Sequence, residues 1–511
     1  MEVQMKSRLL GFVGVGFFLA ALVFAVTPLW AGSTEERVKA LEEELTRLKS
    51  EQMELKKEAV AAAAAMPAFS YRPGAGLRID AGDQSWGIRF RYLFHMDMTF
   101  LEGQDARRNG DFELFGRRNR PEITYFWDRG FYEFRSELDM DAGDATEIQR
   151  ATLFVHYNKL NPWFPTFQVG IDNPATINEY DRGSNRTAAT AEHNLIRRDN
   201  GWNTGSHTGL GLVWDNLPAM VVPGTWDFHY YWIINGIGRG DGDTDQSSNM
   251  DHAVYFNVSP FSQSKNKWLS GFAASLGAWF GNPDERNTTN SSRRLRLRTQ
   301  LGPNRVTLFD SGPDLDRGLH TFITPGLQYR VGPYKLMVSG GFDRWNTSRS
   351  GNDAGRPGEV GRVQGTYWKL INELFVWSPK GFLTGSVNTP NSLLMGWSFE
   401  RAEAECGRSN CDETATAGGA EFRRNRVLVR ELDFSYFFRP SLSLLLAWRW
   451  YDASNVPTAS QVALGCKRNS ATIPGKDCDW NDVLLRLRWA FWIATGTMSC
   501  LDCAGLSKRA S

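Results

Sequence analysis

The segment from Trp86 to Phe100 alternates without a break. Ile88, Phe90, Tyr92, Phe94, Met96, Met98 and Phe100 hold one parity; Arg89, Arg91, Leu93, His95, Asp97 and Thr99 hold the other. Successive side chains of an extended chain point to opposite faces, so this is a ribbon with one apolar face and one largely polar face. Strands of soluble domains commonly run about five or six residues, and this one is far longer. The pattern recurs to the end of the chain. Tyr132, Phe134, Leu138 and Met140 alternate with Glu133, Arg135, Glu137 and Asp139. Leu442, Leu444, Leu446, Trp448 and Trp450 face away from Ser443, Ala447 and Arg449, and Val483, Leu485, Leu487, Trp489 and Phe491 face away from Arg486 and Arg488.

Two solutions suit such ribbons. A soluble sandwich turns the apolar face into a core; a transmembrane barrel turns it to lipid and encloses water with the other. Composition favours the barrel. The 511 residues hold 19 Trp, 14 Tyr, 32 Phe and 49 Gly, yet mean hydropathy is −0.40. Only alternate residues facing lipid reconciles these figures. A polytopic helical membrane protein is excluded. The net charge of +1 gives no bulk electrostatic reason to bind nucleic acid.

Sixteen strands are expected, near 86–100, 112–127, 130–140, 146–158, 163–172, 207–216, 224–237, 250–260, 268–281, 319–331, 333–345, 362–377, 392–401, 425–438, 440–452 and 480–491. Their connections sort by parity. Asp128-Arg129-Gly130, Val331-Gly332-Pro333, Ser378 to Gly381 and Arg439-Pro440 are tight turns of one class. The other class holds the long polar stretches 173–206, 238–249, 282–318, 346–361, 402–424 and 453–479. Short periplasmic turns and long external loops are the habit of outer-membrane barrels. An arginine-rich stretch, 293–309, fits either a loop or an extra hairpin that would raise the count to 18.

The N-terminus has the pattern of an export signal over 1–31. Lys6 and Arg8 precede a mostly apolar run, Leu9 to Val26, and Leu29-Trp30-Ala31 offers a cleavage site. The alternative is an uncleaved anchor helix. Residues 32–66 follow as a helix. Val38, Leu45 and Ala59 share one heptad phase with Gln52; Leu41, Leu48, Leu55 and Ala62 share the other. One narrow stripe on a lone helix finds no cover, so a periplasmic oligomerisation coiled coil is expected. The alternative is an amphipathic helix lying on the barrel or on peptidoglycan. A linker, 67–85, leads to the barrel, 86–491, and a C-terminal extension, 492–511, follows.

The stretch Phe115 to Asp172 carries a resemblance. Gly116-Arg117-Arg118-Asn119-Arg120-Pro121 precedes Phe131-Tyr132-Glu133-Phe134, and Ala151-Thr152-Leu153-Phe154-Val155 and Phe167-Gln168-Val169-Gly170 follow. With the export signal, the Leu-rich helix and about 16 strands, this resembles the phosphate-selective porin O and P family of Gram-negative outer membranes. The resemblance implies a homotrimeric passive channel for small hydrophilic solutes, with no cofactor and no bound metal. Where the family often continues the Gly170 strand with a basic residue and Pro, this chain reads Ile171-Asp172-Asn173-Pro174, so phosphate specificity does not carry over.

By alternation Arg89, Arg91, Arg118, Arg120, Arg135, Arg150, Arg449, Arg486 and Arg488 face the lumen. Closure sets the last strand beside the first, so these arginines are expected as one wall across the seam. Permanently charged guanidiniums there attract anions; Glu122, Glu133, Glu137 and Asp139 face inward nearby and partly neutralise them. The third external loop, 173–206, is expected to fold inward, as the resemblance implies. It sets Glu179, Asp181, Glu192 and Asp199 against Arg182, Arg186, Arg197 and Arg198. Two readings stay open: an anion-preferring channel, or a general diffusion porin with a transverse field. A structural or adhesive protein tethering the membrane to peptidoglycan or a surface layer is a third. An enzyme is not expected, since His95 and His156 face the lumen without a matched nucleophile set. Cys406 with Cys411, and Cys466 with Cys478, are expected to form disulfides pinning the seventh and eighth external loops.

Overall fold

The computed structural model of the protein describes residues 34–65, 67–72, 76–102, 111–140, 146–172, 207–218, 224–234, 250–281, 296–298, 307–310, 319–348, 360–406, 424–456 and 476–490. Residues 1–67 with 81–83 form one unit and the rest another, and each is taken by itself. In the first, helix α1 (Thr34–Ala65) occupies the segment whose heptad pattern called for it. Its stripe is uncovered: Val38, Leu41, Leu45, Leu48 and Leu55 are all exposed.

The second unit is a closed antiparallel barrel of sixteen strands. A hairpin, β1 (Ala68–Arg72) and β2 (Gly76–Asp80), precedes it. The wall then runs β3 (Trp86–Glu102), β4 (Asp111–Trp127), β5 (Tyr132–Asp139), β6 (Glu147–His156), β7 (Thr166–Asp172), β8 (His207–Pro218), β9 (Thr225–Ile234), β10 (Asp251–Ser259) and β11 (Phe272–Gly281). A small separate hairpin follows, β12 (Arg296–Arg298) with β13 (Thr307–Asp310). The wall resumes with β14 (His320–Val331), β15 (Tyr334–Ser348), β16 (Val360–Ser378), a two-residue β17 (Gly381–Phe382), β18 (Ser392–Cys406), β19 (Arg424–Arg439), β20 (Leu442–Val456) and β21 (Lys476–Ala490). Each wall strand pairs with its neighbours in chain order, β16 pairs onward with β18, and β21 pairs with β3 from Asn481↔Glu102 to Ala490↔Leu93. That last ladder closes the circle.

All sixteen expected strands are present, with ends shifted by a few residues. The expected eighteenth-strand alternative fails: 296–298 and 307–310 pair with one another in their own two-stranded sheet. The segment expected as a linker carries ordered structure. β2 pairs with β3 from Leu77↔Phe90 to Asp80↔Gly87, on the length of β3 that β21 does not reach.

The outward parity is apolar and open. Phe90, Ile123, Phe134, Leu276, Leu327, Trp368, Trp397, Phe434, Leu446, Trp448 and Trp489 are all exposed. Rings gather at the turn end, where Trp127 stacks on Tyr132 at 5.2 Å between centroids and Tyr92 meets Trp489 edge-on at 6.3 Å across the seam. The tight turns form where expected. Asp128 and Arg129 hold φ of 50° and 53°, and the Gly130 amide donates to the Trp127 carbonyl at 3.1 Å. The Ser378 to Gly381 turn also forms, but it serves β17, and the chain travels a further stretch, 383–391, before β18 begins.

Gly170 of β7 holds φ +128°, and a Cβ there would lie 2.1 Å from the Ala151 carbonyl oxygen. Gly170→Val therefore strains the β6–β7 ladder. We expect a loss of about 1–3 kcal/mol from backbone strain alone, read as a lower urea midpoint for the heat-modifiable folded band on gels. An unchanged midpoint would show that this ladder relaxes freely.

Candidate functional site

All nine arginines expected in the lumen lie on the inward parity of β3, β4, β5, β6, β20 and β21, and these strands are consecutive through the seam. They do not form a bare cationic wall. The Arg486 Nε and Nη2 both donate to the two Asp97 carboxylate oxygens at 2.6 Å, directly across the seam. Arg449 pairs with Asp482, its register partner, and both side chains are essentially buried. Arg91 Nη1 lies 3.1 Å from Glu122 Oε1, and Arg135 Nη2 lies 2.6 Å from Glu133 Oε1. Arg120 pairs with Asp139 and stands 3.6 Å from Glu137. Arg150 Nε donates to Asp172 Oδ1 at 2.7 Å, with Glu137 3.8 Å away. Arg89 Nη2 reaches Thr124 Oγ1 at 3.4 Å and Glu133 at 4.0 Å. Arg488 sits over the Phe437 ring at 5.6 Å, and Arg118 is buried opposite His95 in register.

Register explains the cross-strand pairs; Arg135 and Glu133 are instead inward neighbours two apart on β5. Antiparallel partners share a parity, so an inward arginine meets an inward acid on the next strand when both lie on one row. A bulge lets Arg117 drop out of the β3–β4 ladder: His95 faces Arg118, while Met96 faces Gly116. Both Arg118 and Arg120 thereby stay inward. Glu122, Glu133, Glu137 and Asp139 are where alternation put them. Asp97, Asp172 and Asp482 were not anticipated as partners, although strand register would have matched Asp97 with Arg486. Among the described residues these nine guanidiniums thus meet eight carboxylates on their own and the adjoining strands, Glu431 of β19 standing in register with Arg449.

The adjoining arc is different. Lys335, Lys369, Glu373, Glu400, Glu431 and Asp433 point inward from β15, β16, β18 and β19. Lys369 Nζ is 3.7 Å from Glu400, and Lys335 Nζ is 4.0 Å from Glu373. Asp433 is fully buried, its carboxylate seated over Gly396, where a Cβ would come within 2.4 Å of both oxygens. These two lysines stand against these four carboxylates, and the arc adjoins the arginine strands directly, with Glu431 of β19 in register with Arg449 of β20.

Toward the long-loop end the interior becomes largely apolar, with Asp251 and the His320–Asp343 pair fully buried there as well. Tyr231, Ile233, Ala253, Tyr255, Trp279, Phe322, Val363, Tyr367, Ala402, Ala404, Val427, Val429, Tyr451, Ala453 and Trp480 form one buried cluster. Tyr451 stacks on Trp480 at 4.7 Å and 8°. Leu308 and Phe309 of β13 belong to the same cluster, each 1% exposed. The Asn425 Nδ2 donates to the Leu308 carbonyl. Leu308 and Phe309, from the connection between β11 and β14, are therefore packed on the inner face of the barrel. Their signal in the sequence was the apolar Val306-Thr307-Leu308-Phe309 inside an otherwise polar stretch. Burying Leu308 and Phe309 contributes about 1.5–3 kcal/mol each.

The residues expected to form a third-loop constriction, Glu179, Asp181, Arg182, Arg186, Glu192, Arg197, Arg198 and Asp199, lie outside the described residues. So do Cys411 and Cys466, and for Cys406 only the backbone at the end of β18 is described. Cys478 is disulfide-bonded. His156 lies 3.5 Å from Glu133 and 3.3 Å from the Thr166 hydroxyl.

No family model and no curated protein matches the chain. Among solved structures it is similar to a loop L8 deletion mutant of OmpT, an outer membrane protein of Vibrio cholerae, at 9% identity and TM-score 0.47, over 80% of this chain and 99% of that one. An anion-selective porin from Comamonas acidovorans matches at 11% identity and TM-score 0.46, over 79% and 99%. Salmonella typhi OmpF in complex with daunomycin matches at 11% and 0.43, over 80% and 98%. Likeness at this level carries no information on solute or selectivity.

The seam pair gives a direct test. Asp97→Ala leaves the Arg486 guanidinium buried without its bidentate partner, and we expect a loss of about 3–5 kcal/mol. The double change Asp97→Ala with Arg486→Leu should recover most of it in urea unfolding from detergent micelles. A single variant as stable as the parent would remove the pair from the closure.

Proposed function

We propose that the protein is an outer-membrane porin, a passive diffusion channel for small hydrophilic solutes with a modest preference for anions. The observation that carries this reading is a closed barrel whose outer face is apolar and aromatic while its inner face is charged. Soluble barrels of this circumference would expose the greasy parity to water. The anion preference rests on the guanidinium excess around the seam. Its modesty rests on the acid paired with most of those arginines, because a neutralised pair exerts little field at a distance.

One observation favours the second reading, a general diffusion porin with a transverse field. The acids of β16, β18 and β19 and the arginines of β3 to β6 lie on different arcs of the same barrel, so its inner wall is charged unevenly around the circumference. Such a field orients dipolar solutes without strongly choosing their net charge. Reversal potentials in a KCl gradient separate the two. We expect a chloride-to-potassium permeability ratio above unity in the parent. Changing Arg89, Arg91 and Arg120 together to Ala should bring it to unity or below. A parent ratio already below one would reject the anion preference and leave the transverse field.

The helix α1 supports a homotrimer. Its heptad stripe stands uncovered within its own unit, and copies of itself are the occupant that heptad spacing suits. The coiled coil then lies in the periplasm, where tight-turn ends of the barrel strands also lie. Cys466 pairs with Cys478 in this reading, and Cys406 with Cys411. Deleting residues 33–65 is expected to leave a heat-modifiable barrel whose mass by light scattering falls toward that of the monomer. A trimer of unchanged stability would take the helix out of assembly and favour its use as a tether to peptidoglycan.

A further inference from the structure

We propose that the outer face of β18 to β20, toward its long-loop end, docks the phosphorylated headgroup of an outer-leaflet glycolipid, received by Arg426 and Arg430. The proposal rests on the outer-membrane part of the porin reading and adds a lipid partner to it. The outward parity of a spanning strand is its lipid face, and apolar residues are the rule there. Strand β19 departs from that rule. Val427, Val429 and Glu431 are buried on the inner side, so Arg426 and Arg430 look outward. Arg401 of β18 does the same, beside the inward Ala402.

The two arginines stand where hydrocarbon gives way to headgroups. Going up β19 from the turn end, the outward residues are Phe438, Tyr436, Phe434 and Leu432, and Arg430 follows. At about 3.4 Å per residue and a tilt near 40°, Arg430 lies roughly 20 Å above Phe438, close to the outer edge of an apolar band about 25 Å tall. Its register partners are Phe399 and Trp450, and Trp450 stacks on Trp448 at 4.9 Å. The stem of Arg430 thus has apolar company while its guanidinium rises to the headgroup plane. A guanidinium at that depth has little bulk water to satisfy it, and a phosphate matches its fork of donors.

Charge complementarity singles out these two residues from their neighbours. Arg401 and Arg424 are engaged by one carboxylate: Arg401 Nε reaches Glu403 Oε1 at 2.9 Å and Arg424 Nη2 reaches Glu403 Oε2 at 3.0 Å. Glu405 accepts from Gln364 at 2.9 Å. Arg426 stands in register with the same Glu403, whose two oxygens are thus already taken. Arg426 and Arg430 are both exposed, and neither makes an ion pair among the described residues. Asp452 and Asp479 face outward on β20 and β21, in register with one another, and limit the net charge of the patch. Free anions are therefore not gathered there. A lipid phosphate is, because its acyl chains also cover the exposed Trp397, Leu446 and Trp448.

The test uses the full chain folded in detergent micelles, with labelled rough-type lipopolysaccharide either intact or enzymatically dephosphorylated. The parent should bind the intact lipid about tenfold or more tightly than the dephosphorylated one, two headgroup contacts by arginine being enough for that. Millimolar inorganic phosphate should displace neither. Arg426→Gln with Arg430→Gln should lose that preference and leave binding of the dephosphorylated lipid unchanged, and Arg430→Lys alone should keep most of it. If the double variant fails to fold, Arg426→Gln at its exposed position decides by the same two titrations. Equal binding of intact lipid by parent and variant would overturn the site. So would displacement by inorganic phosphate, which marks a free-phosphate site, or a fall in oligomer mass with lipid binding unchanged, which gives the face to a second copy. Conductance in planar bilayers of synthetic phospholipid is scored separately. A conducting barrel indifferent to the glycolipid overturns this site alone; a barrel that binds it without conducting overturns the channel alone.

Discussion

The closure ladder between β21 and β3 is the contact on which the rest depends. In hydrocarbon no water is present to satisfy a free strand edge, and each unsatisfied amide or carbonyl costs several kcal/mol. An open sheet of these ribbons would present two such edges. Joined, every wall strand has a partner on both sides, the apolar parity faces outward throughout, and a continuous inner surface results. The seam also carries the buried Asp97 and Arg486 pair, so the backbone closure and a charge pairing sit on the same two strands.

Placing many arginines inside such a wall creates its own requirement. A guanidinium removed from bulk water needs acceptors, and the neighbouring strand supplies them at the same height. Arg449 with Asp482 and Arg150 with Asp172 show the rule. Pairing leaves only a small excess of one sign, and that excess differs from one arc of the inner wall to the next.

Most of the wall was legible in the chain because a barrel strand repeats one simple instruction, outward apolar and inward polar, and Trp86 to Phe100 states it in full. Parity also gave the inward direction of all nine arginines. What parity does not contain is height, and partners are chosen by height. Asp97 and Asp172 therefore read as ordinary inward residues until register was known. Loops obey no period at all. The stretch 293–309 drew notice for its arginines, whereas the part that matters structurally is Leu308-Phe309, a pair too short to register as periodic. The hairpin at 68–80 was hidden for a similar reason: five-residue strands flanked by Gly and Pro resemble connecting chain.

That hairpin has a mechanical side. β1 follows α1 almost at once in the chain, and β2 is stitched to β3 by only four register pairs, on the part of β3 left open by β21. Tension arriving through the helix would meet these few rungs before any rung of the closed circle. They would peel first and lengthen the leash, so the barrel is shielded by a fuse made of its own first strands.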